Sequence, residues 1–436
     1  MQPINIGILG VGTVGGGTAQ VIQQNASEIR RRLGREVRLF MAASRNTERA
    51  RALCGADALI SADAFDVVNH PEVDIVVETI GGTDIAKDLV IAAIKNGKHV
   101  VTANKKLLAE YGNEIFTLAE QHSVMVMFEA AVAGGIPIIK ALREGLSANK
   151  IEWIAGIING TSNFILSEMR EHGSDFADVL QEAQALGYAE ADPTFDVEGH
   201  DAGHKITIMA ALAFGIPMQF ENCYLEGISQ LNGKDIRYAE ELGYRVKLLG
   251  LTRKTEQGVE LRVHPTLIPE SRLLANVNGA MNAVLVKGDM VGTTLHYGPG
   301  AGALPTASAV VADIVDIGRL ISADNAQRVP YLAFQPSAVQ DIAILPMDEV
   351  RTSYYLRVCV LDEPGVLAEI ASLLANRQIS IEALIQKGVI DQETAEIVIL
   401  THRTVEKHIN NAIAAIEALP SVTQNVTRIR METLHD

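Results

Sequence analysis

The sequence predicts an α/β protein that begins with a parallel, doubly wound sheet. Three observations support this fold class. Residues 1–150 alternate short β-branched runs with helical stretches, as doubly wound sheets do. Residues 151–302 place helical stretches before strand-rich ones, which predicts a separate α+β domain for catalysis and dimerisation. Residues 351–436 follow the order βαββαβ, which is typical of a ferredoxin-like domain.

The elements of the first domain follow from hydrophobic patterning. Its predicted strands cover residues 4–9, 37–42, 73–78, 99–102 and 123–128. Its predicted helices include residues 83–96 and 105–121. An Ala-rich amphipathic helix at 303–322 is expected to complete this domain.

The remaining elements divide between two further domains and a linker. In the α+β domain, helices are predicted at 162–171, 175–186 and 200–214, and strands around 245–264 and 281–297. Residues 323–350 contain three prolines and little regular patterning, so we expect a linker there. In the C-terminal domain, strands are predicted at 354–361, 379–388, 394–401 and 421–429, and helices at 365–376 and 404–417.

The composition narrows the possible functions. Of the 436 residues, 48% are hydrophobic and 21% are charged, as in an ordinary globular protein. The formal net charge of −16 disfavours general nucleic-acid binding, because phosphate contacts need clustered cations. No apolar run reaches the ~18 residues of a membrane span, and no signal peptide is visible. The three cysteines lie far apart, which fits free thiols in the cytoplasm.

A glycine-rich turn of the form G-x-G-x-x-G follows the first predicted strand at once and leads into a helix. Gly10 permits the tight turn, Gly12 lets a pyrophosphate approach the backbone, and Gly15 lets the helix pack on the strand. The N–H groups at the helix start, near Thr13 and Val14, then face the phosphates. The strand–turn–helix context favours a Rossmann-type dinucleotide site over a glycine turn without a ligand.

The end of the second predicted strand bears on the choice between NAD and NADP. An acidic residue there would bind the ribose hydroxyls and repel a 2′-phosphate, but residues 42–45 contain no acid. Arg45 can pair a phosphate in a fork, and Ser44 can add a hydroxyl. We therefore expect NADP, with NAD still possible. The alternative is that Arg45 is a solvated surface cation.

Most of the residues that can carry chemistry lie between Ala183 and Lys205. Several carboxylates precede the lysine, and Asp201 and Lys205 are spaced i, i+4, so they share one helix face. Carbonyl/alcohol redox moves one proton alongside one hydride, and a buried lysine of lowered pKa can move that proton. Nearby carboxylates can hold a substrate ammonium group. The alternative is a set of surface salt bridges.

The same stretch resembles the signature of the homoserine dehydrogenase family, A-x-x-x-G-Y-A-E-x-D-P-x-x-D-V-x-G-x-D-x-x-x-K, at every defined position. The resemblance extends over nearly the whole chain. Residues 102–105 are similar to the family's nicotinamide-side lysine motif, and residues 129–137 to its sodium-binding turn. Residues 159–163 and 298–306 are similar to its substrate and cofactor loops.

The resemblance implies an NAD(P)-dependent interconversion of L-aspartate 4-semialdehyde and L-homoserine, in threonine, methionine and isoleucine biosynthesis. It makes Lys205 the proton donor to the aldehyde oxygen and Lys105 a second active-site lysine near cofactor and substrate. It implies substrate contacts for Glu190, Asp201, Asp196, Tyr188, Thr161 and Gly160, and further cofactor contacts for Gly187 and Gly302.

The resemblance also implies a Na⁺ site. Its ligands would be the Glu129 carboxylate and the backbone carbonyls of Val132, Gly134 and Ile136. Glycines in a short loop suit carbonyl coordination of a hard cation. From the residues alone, the stretch is typical of a strand-to-helix turn.

A second turn of functional interest opens the first helix of the C-terminal domain. Asp362 follows a predicted strand, Gly365 shapes the turn, and Val366 and Leu367 begin a helix whose free N–H groups can receive a carboxylate. With its βαββαβ order, this domain resembles an ACT domain, a module that pairs edge to edge and binds small amino acids. The resemblance implies feedback inhibition, with threonine as the expected effector. The alternative is a dimerisation module that binds nothing.

Two other functions remain open at this level. A reductase for another amino-acid semialdehyde or keto acid would keep the same cofactor site, and a substrate panel would separate the two. A non-catalytic amino-acid sensor would keep the fold as a scaffold, although the intact lysines and carboxylates argue against it. We expect a cytoplasmic homodimer or homotetramer with no nucleic-acid or membrane partner.

Overall fold

The structure is a computed structural model that describes residues 2–324, 327–391 and 394–435. Its strands, in chain order, are β1 (Ile4–Leu9), β2 (Val37–Ala43), β3 (Leu59–Ser61), β4 (Ile75–Glu78), β5 (His99–Thr102), β6 (Val126–Met127), β7 (Ile151–Ile157), β8 (Tyr224–Leu225), β9 (Tyr244–Lys254), β10 (Val259–Pro269), β11 (Met281–Gly288), β12 (Gly292–Pro299), β13 (Arg351–Leu361), β14 (Ile381–Asp391), β15 (Thr394–Thr401), β16 (Thr404–Val405) and β17 (Thr427–Met431). Its helices are α1 (Thr13–Gln24), α2 (Ala26–Leu33), α3 (Thr47–Cys54), α4 (Ala64–Asn69), α5 (Asp84–Lys95), α6 (Lys105–Gln121), α7 (Ile138–Lys140), α8 (Gly160–His172), α9 (Phe176–Ala185), α10 (Thr194–Val197), α11 (His200–Phe214), α12 (Gly233–Glu241), α13 (Ala303–Leu320), α14 (Val366–Ala375) and α15 (Glu406–Glu417).

The chain divides into two compact units. The first comprises Met1–Gly160, His200–Cys223 and Ala280–Ile342, and the second comprises Thr161–Gly199, Tyr224–Gly279 and Ala343–Asp436. Within the described residues, no helix combines the length and the apolar character needed to cross a bilayer. Parts of two predicted segments lie outside the described residues, namely Asn325 and Ala326 in the linker and Gln392 and Glu393 in the C-terminal domain.

A six-stranded parallel sheet forms the centre of the first unit. Its strand order is β3-β2-β1-β4-β5-β6. The chain therefore reverses its direction of progress between β1 and β4, and this reversal opens a crevice at the carboxyl ends of the strands. Strand β1 is apolar on both faces, and Ile4, Ile6 and Ile8 are fully buried, as expected for a strand covered by helices on both sides. This topology confirms the predicted doubly wound sheet.

Helix α13, although distant in sequence, packs against the same sheet. Its Val310 and Ile314 belong to one buried cluster with Ile4. A Cβ added to Gly17 of α1 would come within 2.6 Å of the Ala303 carbonyl oxygen, so a glycine lets α1 and α13 approach closely. Burial of each such aliphatic side chain stabilises the fold by about 1.5–3 kcal/mol.

Two strands of this sheet differ from the sequence prediction by more than two residues at their ends. Residues 123–128 are predicted as one strand, but only Val126–Met127 pairs with a neighbour. Ser123 has a positive φ of 56°, and Phe128 precedes a 3₁₀ turn. The apolar pattern of this run therefore reports burial rather than an extended backbone. The edge strand Leu59–Ser61 was not predicted, because three residues are too few for a period-2 signal.

Three antiparallel strands and helix α11 complete the first unit. The strands have the order β12-β11-β7. Helix α11 is buried from Asp201 to Phe214. Because this buried helix carries Asp201 and Lys205, their charges need partners inside the protein.

A long hairpin and the C-terminal domain form the core of the second unit. Strands β9 and β10 pair antiparallel along their whole length. Strand β10 also pairs in parallel with β17, where Thr266 faces Arg430 and Leu267 faces Met431. Strand β17 therefore links the hairpin to the C-terminal sheet, whose order is β17-β13-β15-β14.

The C-terminal domain has the predicted βαββαβ order, with the two-residue strand β16 added before α15. Its helices α14 and α15 cover one face of the sheet through a buried cluster that includes Leu356, Ile370 and Ile409. The last strand is predicted at 421–429 but is found at Thr427–Met431. The difference arises because the chain after α15 first makes a single bridge between Val422 and Val360 before it enters the sheet.

Candidate active site

The glycine turn after β1 has the geometry that a dinucleotide needs. Gly10 has a φ of +88°, and a Cβ on Gly15 would come within 2.0 Å of the Gly10 carbonyl oxygen, so both positions require glycine. Gly12 is the N-cap residue of α1, and among the described residues a Cβ there would meet nothing within 4 Å. Thr13 and Val14 begin the helix behind it. The free N–H groups of this first turn therefore face open space that can admit a pyrophosphate.

Arg45 lies where a ribose phosphate would be recognised. It is exposed and follows the carboxyl end of β2 at Ala43. The neighbouring Ser44 is fixed in place, because its N–H donates to the Ser61 carbonyl at 3.0 Å and its hydroxyl oxygen accepts the N–H of Asn46 at 3.3 Å. The structure therefore presents a guanidinium and an anchored hydroxyl at the edge of the cofactor crevice.

A buried carboxylate, Glu78, shapes this crevice and escaped the sequence analysis. One carboxylate oxygen accepts the N–H groups of Ile80 and Gly81 at 2.9 and 3.0 Å, and the other accepts the Thr102 hydroxyl at 2.6 Å. Glu78 therefore fixes the turn after β4 and the end of β5, from which α6 and Lys105 follow. The sequence feature that could have identified Glu78 is an acidic residue at the carboxyl end of a buried parallel strand.

Two lysines and one aspartate meet at the amino-terminal ends of α6 and α11. The Asp201 carboxylate binds Lys105 Nζ at 2.7 Å and Lys205 Nζ at 2.7 Å. Asp201 and Lys205 are buried, whereas the Lys105 side chain is 31% exposed. Burial alone would raise the pKa of Asp201, but the two ammonium groups hold that pKa well below its usual range. The cluster is thus a buried carboxylate shared by two cations.

Two groups that follow β7 also bind this cluster, and no sequence pattern predicted these contacts. Lys205 Nζ donates to the Ile158 carbonyl at 2.6 Å, and Asn159 Nδ2 donates to Asp201 at 2.8 Å. Asn159 belongs to the predicted substrate loop, so the sequence motif identified the segment but not the hydrogen bond of Asn159 with Asp201. Gly160 follows, and a Cβ there would come within 2.9 Å of the Ala280 carbonyl oxygen.

The predicted cation turn is tightly constrained. Ala133 and Gly134 have positive φ values of 55° and 50°, and a Cβ on Gly134 would come within 2.5 Å of the Gly300 carbonyl oxygen. The Ile136 N–H donates to the Ala133 carbonyl at 3.0 Å and closes the turn. Val132, Gly134 and Ile136 therefore fall in one compact turn. Gly302, the predicted cofactor contact, is the N-cap residue of α13.

The Glu129 carboxylate provides the charge beside this turn. It is buried, and its oxygens accept the N–H groups of Ile139 and Lys140 at 2.9 and 2.8 Å. Burial raises the pKa of Glu129 to about 7, against the effect of these hydrogen bonds. Asp313 accepts the Glu129 N–H at 2.8 Å, and burial together with Glu129 raises the pKa of Asp313 to about 8. Two such carboxyls fit a hard cation, because a positive charge would offset the cost of ionising them.

The remaining predicted substrate residues lie in the second unit. The Thr161 hydroxyl donates to the Tyr188 carbonyl at 2.7 Å, and the Tyr188 ring stacks on Phe164 with centroids 4.5 Å apart. Asp196 is tied to the same helix, because its carbonyl accepts the Ser162 hydroxyl at 3.0 Å. These contacts hold the segment 187–196 against the first turn of α8.

Gly187 and Glu190 are the other two predicted site residues of that segment. Gly187 has a φ of +79°, which favours glycine, and Glu190 is exposed with its carbonyl bound by Gln184 Nε2 at 3.0 Å. These residues belong to the second unit, and the lysine–aspartate cluster belongs to the first.

The predicted effector turn opens helix α14. Gly365 is its N-cap residue with a φ of +101°, and among the described residues a Cβ there would meet nothing within 4 Å. Val366 is buried, whereas Leu367 is exposed. The Asp362 carboxylate accepts a hydrogen bond from Gln386 Nε2 at 3.3 Å. The turn is therefore open to solvent and anchored to the neighbouring strand β14.

The doubly wound sheet, the open glycine turn and the buried lysine–aspartate cluster define an oxidoreductase that binds a nicotinamide dinucleotide. Comparison with known families makes this class specific. A model described as homoserine dehydrogenase matches residues 137–315, one described as the homoserine dehydrogenase NAD binding domain matches residues 10–129, and one described as an ACT domain matches residues 354–421.

Relatives and solved structures agree with these models, and two of them do so over the full length of the chain. A homoserine dehydrogenase of Neisseria gonorrhoeae is 72% identical over 100% of both chains. The crystal structure of a homoserine dehydrogenase from Thiobacillus denitrificans, 64% identical, covers 100% of this chain and 99% of its own with a TM-score of 0.96. A hyperthermophilic archaeal homoserine dehydrogenase in complex with NADPH, 27% identical, covers 74% of this chain and 99% of its own with a TM-score of 0.63. The chain belongs to the homoserine dehydrogenase family.

Proposed function

We propose that this enzyme interconverts L-aspartate 4-semialdehyde and L-homoserine, with NADP(H) as the preferred cofactor. The observation that carries the proposal is the meeting of Lys105, Asp201 and Lys205. Reduction of an aldehyde builds negative charge on its oxygen, and a fixed cation with a transferable proton stabilises that charge. The ionised Asp201 carboxylate binds both lysine ammonium groups and so holds such a cation in place.

In the proposed reduction, Lys205 Nζ gives a proton to the aldehyde oxygen as the carbonyl carbon receives a hydride. The bound nicotinamide supplies that hydride. Lys205 is left as a neutral amine, and in homoserine oxidation it takes the hydroxyl proton back. Asp201 favours the charged amine because its pKa lies well below the usual range. Lys105, which is partly exposed, orients the substrate and the nicotinamide end of the cofactor.

Recognition of the substrate needs both signs of charge, because it carries an ammonium and a carboxylate. Glu190 and Asp201 are the proposed substrate-binding carboxylates, and Asp196, Gly160, Thr161 and Tyr188 are the proposed neighbouring contacts. Support comes from the hydrogen bonds that tie Thr161 to Tyr188 and Ser162 to Asp196.

Cofactor binding is assigned to Gly10, Gly12, Thr13, Val14, Gly15, Lys105, Gly187 and Gly302, with Arg45 favouring NADP over NAD. The exposed guanidinium at the end of β2 supports this preference. The NADPH bound by the archaeal relative points in the same direction.

A Na⁺ ion is proposed beside the turn formed by Val132, Gly134 and Ile136, next to Glu129. The buried carboxylates support a cation of this kind. Its proposed role is structural, because its ligands hold the turn that contacts Gly300 of the predicted cofactor loop.

Feedback inhibition by threonine through the turn at Asp362, Gly365, Val366 and Leu367 is the proposed regulation. The open turn at the start of α14 supports a small-molecule effector site there.

We also propose a homodimer or homotetramer in the cytoplasm. Thiols stay reduced there, and burial raises the pKa of the Cys54 thiol to about 11. The domain boundaries at residues 150, 302, 323 and 351 remain predictions.

The test is the oxidation of NADPH by the full-length protein with L-aspartate 4-semialdehyde, measured with and without threonine. A panel of other semialdehydes and keto acids is the control for substrate choice. We expect turnover with aspartate semialdehyde alone and inhibition by threonine. Equal turnover across the panel would reject the proposed substrate.

A further inference from the structure

A buried lysine in the second unit has no part in the chemistry above. Lys247, on β9, is 2% exposed. Its ammonium donates to the Val277 carbonyl at 2.5 Å, to Asn163 Oδ1 at 3.1 Å and to Asn278 Oδ1 at 3.3 Å. These three acceptors are uncharged oxygens. An apolar side chain of similar size would avoid the cost of burying a cation, so the three donated hydrogen bonds are the feature that needs an explanation.

The surroundings of Lys247 add to that cost. Burial and the guanidinium groups of Arg170 and Arg245 lower the pKa of Lys247 to about 7. Arg170 is on α8, and Arg245, on β9, is paired with Glu240 and Glu270. The lysine therefore stays in an environment that disfavours its charge.

The hydrogen bonds of Lys247 join two segments. Asn163, in the first turn of α8, also donates from Nδ2 to the carbonyls of Val277 and Gly279 at 3.1 and 2.8 Å. One turn further on, Ser167 Oγ accepts the Gly279 N–H at 3.0 Å and donates to the Asn163 carbonyl. These hydrogen bonds hold the first turn of α8 against the turn 277–279, and Lys247 donates to both segments.

These hydrogen bonds lie next to a proposed substrate contact. Thr161 is two residues before Asn163, and its hydroxyl binds the Tyr188 carbonyl. We propose that Lys247 is a positioning residue for the amino-acid substrate: its ammonium fixes the first turn of α8 and thereby the place of Thr161. This inference rests on the proposed function. Lys247 is not expected to touch the substrate or to move a proton.

The experiment compares Lys247→Met with Lys98→Met in the full-length enzyme. Lys98 is a matched control, because it is also buried and donates to two backbone carbonyls, those of His70 and Val73, but lies in the first unit. For Lys247→Met we expect the KM for aspartate semialdehyde to rise about tenfold, since hydrogen bonds from a charged donor are lost. We expect kcat within about twofold of the wild type and unchanged NADPH affinity, because the groups that contact the cofactor and the aldehyde remain.

Hydrogen exchange provides a second readout. The amides of residues 160–165 are expected to exchange faster in Lys247→Met and at the wild-type rate in Lys98→Met. Equal KM increases in both variants, or an unchanged KM in Lys247→Met, would overturn the proposal. If Lys247→Met does not fold, Asn163→Ala removes the acceptor on α8 and must produce the same rise in KM. An inactive wild-type enzyme would defeat the proposed function, while the exchange rates would still decide whether Lys247 holds α8.

Discussion

Lys205 lies in a buried helix, and its ammonium donates to the Ile158 carbonyl and to the Asp201 carboxylate. Replacement by Met removes the proton donor but keeps the volume of the side chain. We expect Lys205→Met to lower kcat by about 10³-fold, in the range of general acid–base catalysis. The dissociation constant for NADPH should stay within about twofold, because the glycine turn is unchanged. Stopped-flow turnover and NADPH fluorescence titration measure the two quantities.

The control for this variant is Lys106→Ala. Lys106 follows Lys105 on α6, but its side chain is 45% exposed and its ion pair with Glu110 is long, at 4.0 Å. Its removal should leave kcat unchanged, because exposed ion pairs of this kind contribute little. Near-normal turnover of Lys205→Met would contradict the proposed role of the amine.

Arg45 tests the cofactor preference at the level of one side chain. We expect Arg45→Ala to raise the KM for NADPH at least tenfold and the KM for NADH less than twofold, since only the former carries a 2′-phosphate to pair with the guanidinium. Arg49→Ala, an exposed arginine on α3, is the matched control. Steady-state kinetics with both cofactors decide the matter, and equal effects on the two would reject the assignment.

Spacing in the sequence predicted local contacts well and distant ones poorly. The i, i+4 spacing of Asp201 and Lys205 places them on one helix face, and they do form an ion pair. The contacts of Lys205 with Ile158 and of Lys247 with Val277 join positions far apart in the chain. Such contacts depend on how strands and helices pack, which no local pattern encodes.

At the scale of elements, apolar patterning identified which segments are buried but not always their conformation. The buried strands β1 and β5 were predicted with their bounds, because helices cover both of their faces and most of their residues are apolar. The run 123–128 is also mostly apolar and buried, yet only Val126–Met127 forms a strand. A sequence pattern reports the solvent exposure of side chains, and backbone pairing is decided by the neighbouring strand.

The cation turn makes an element-scale prediction about salt. Without a cation, the raised pKa values of Glu129 and Asp313, about 7 and about 8, mean that folding opposes their ionisation. At low pH both carboxyls are protonated and do not oppose folding. The free energy of unfolding therefore falls as the pH rises through these pKa values. We expect Na⁺ to raise the melting temperature clearly at pH 8 and little at pH 5, compared with tetramethylammonium. Differential scanning fluorimetry measures this.

The variant Glu129→Gln serves as the control for that measurement. It keeps the size of the side chain and removes its charge, so the Na⁺-dependent rise at pH 8 should disappear. A rise of the same size in wild type and Glu129→Gln would show that Na⁺ acts elsewhere.

At the scale of the whole molecule, the C-terminal domain shares its sheet and its buried charges with the rest of the second unit. Strand β17 pairs with β10. Arg430, fully buried on β17, binds Glu226 at 2.7 Å, and Arg262 on β10 binds Glu432 at 2.6 Å. Removal of one partner from such a pair leaves an unpaired buried charge and costs about 3–5 kcal/mol.

Deletion of residues 351–436 is therefore expected to destroy folding rather than to release an uninhibited enzyme. The truncated chain would lose Glu432 as a partner of Arg262, Arg430 as a partner of Glu226 and β17 as a neighbour of β10. We expect it to be inactive and to lack a cooperative thermal transition. Asp362→Ala, in the open turn, should instead keep full activity and lose inhibition by threonine. Calorimetry and NADPH oxidation with and without threonine test both variants, and a cooperatively folded, active truncation would refute this view of the domain as part of the structural core.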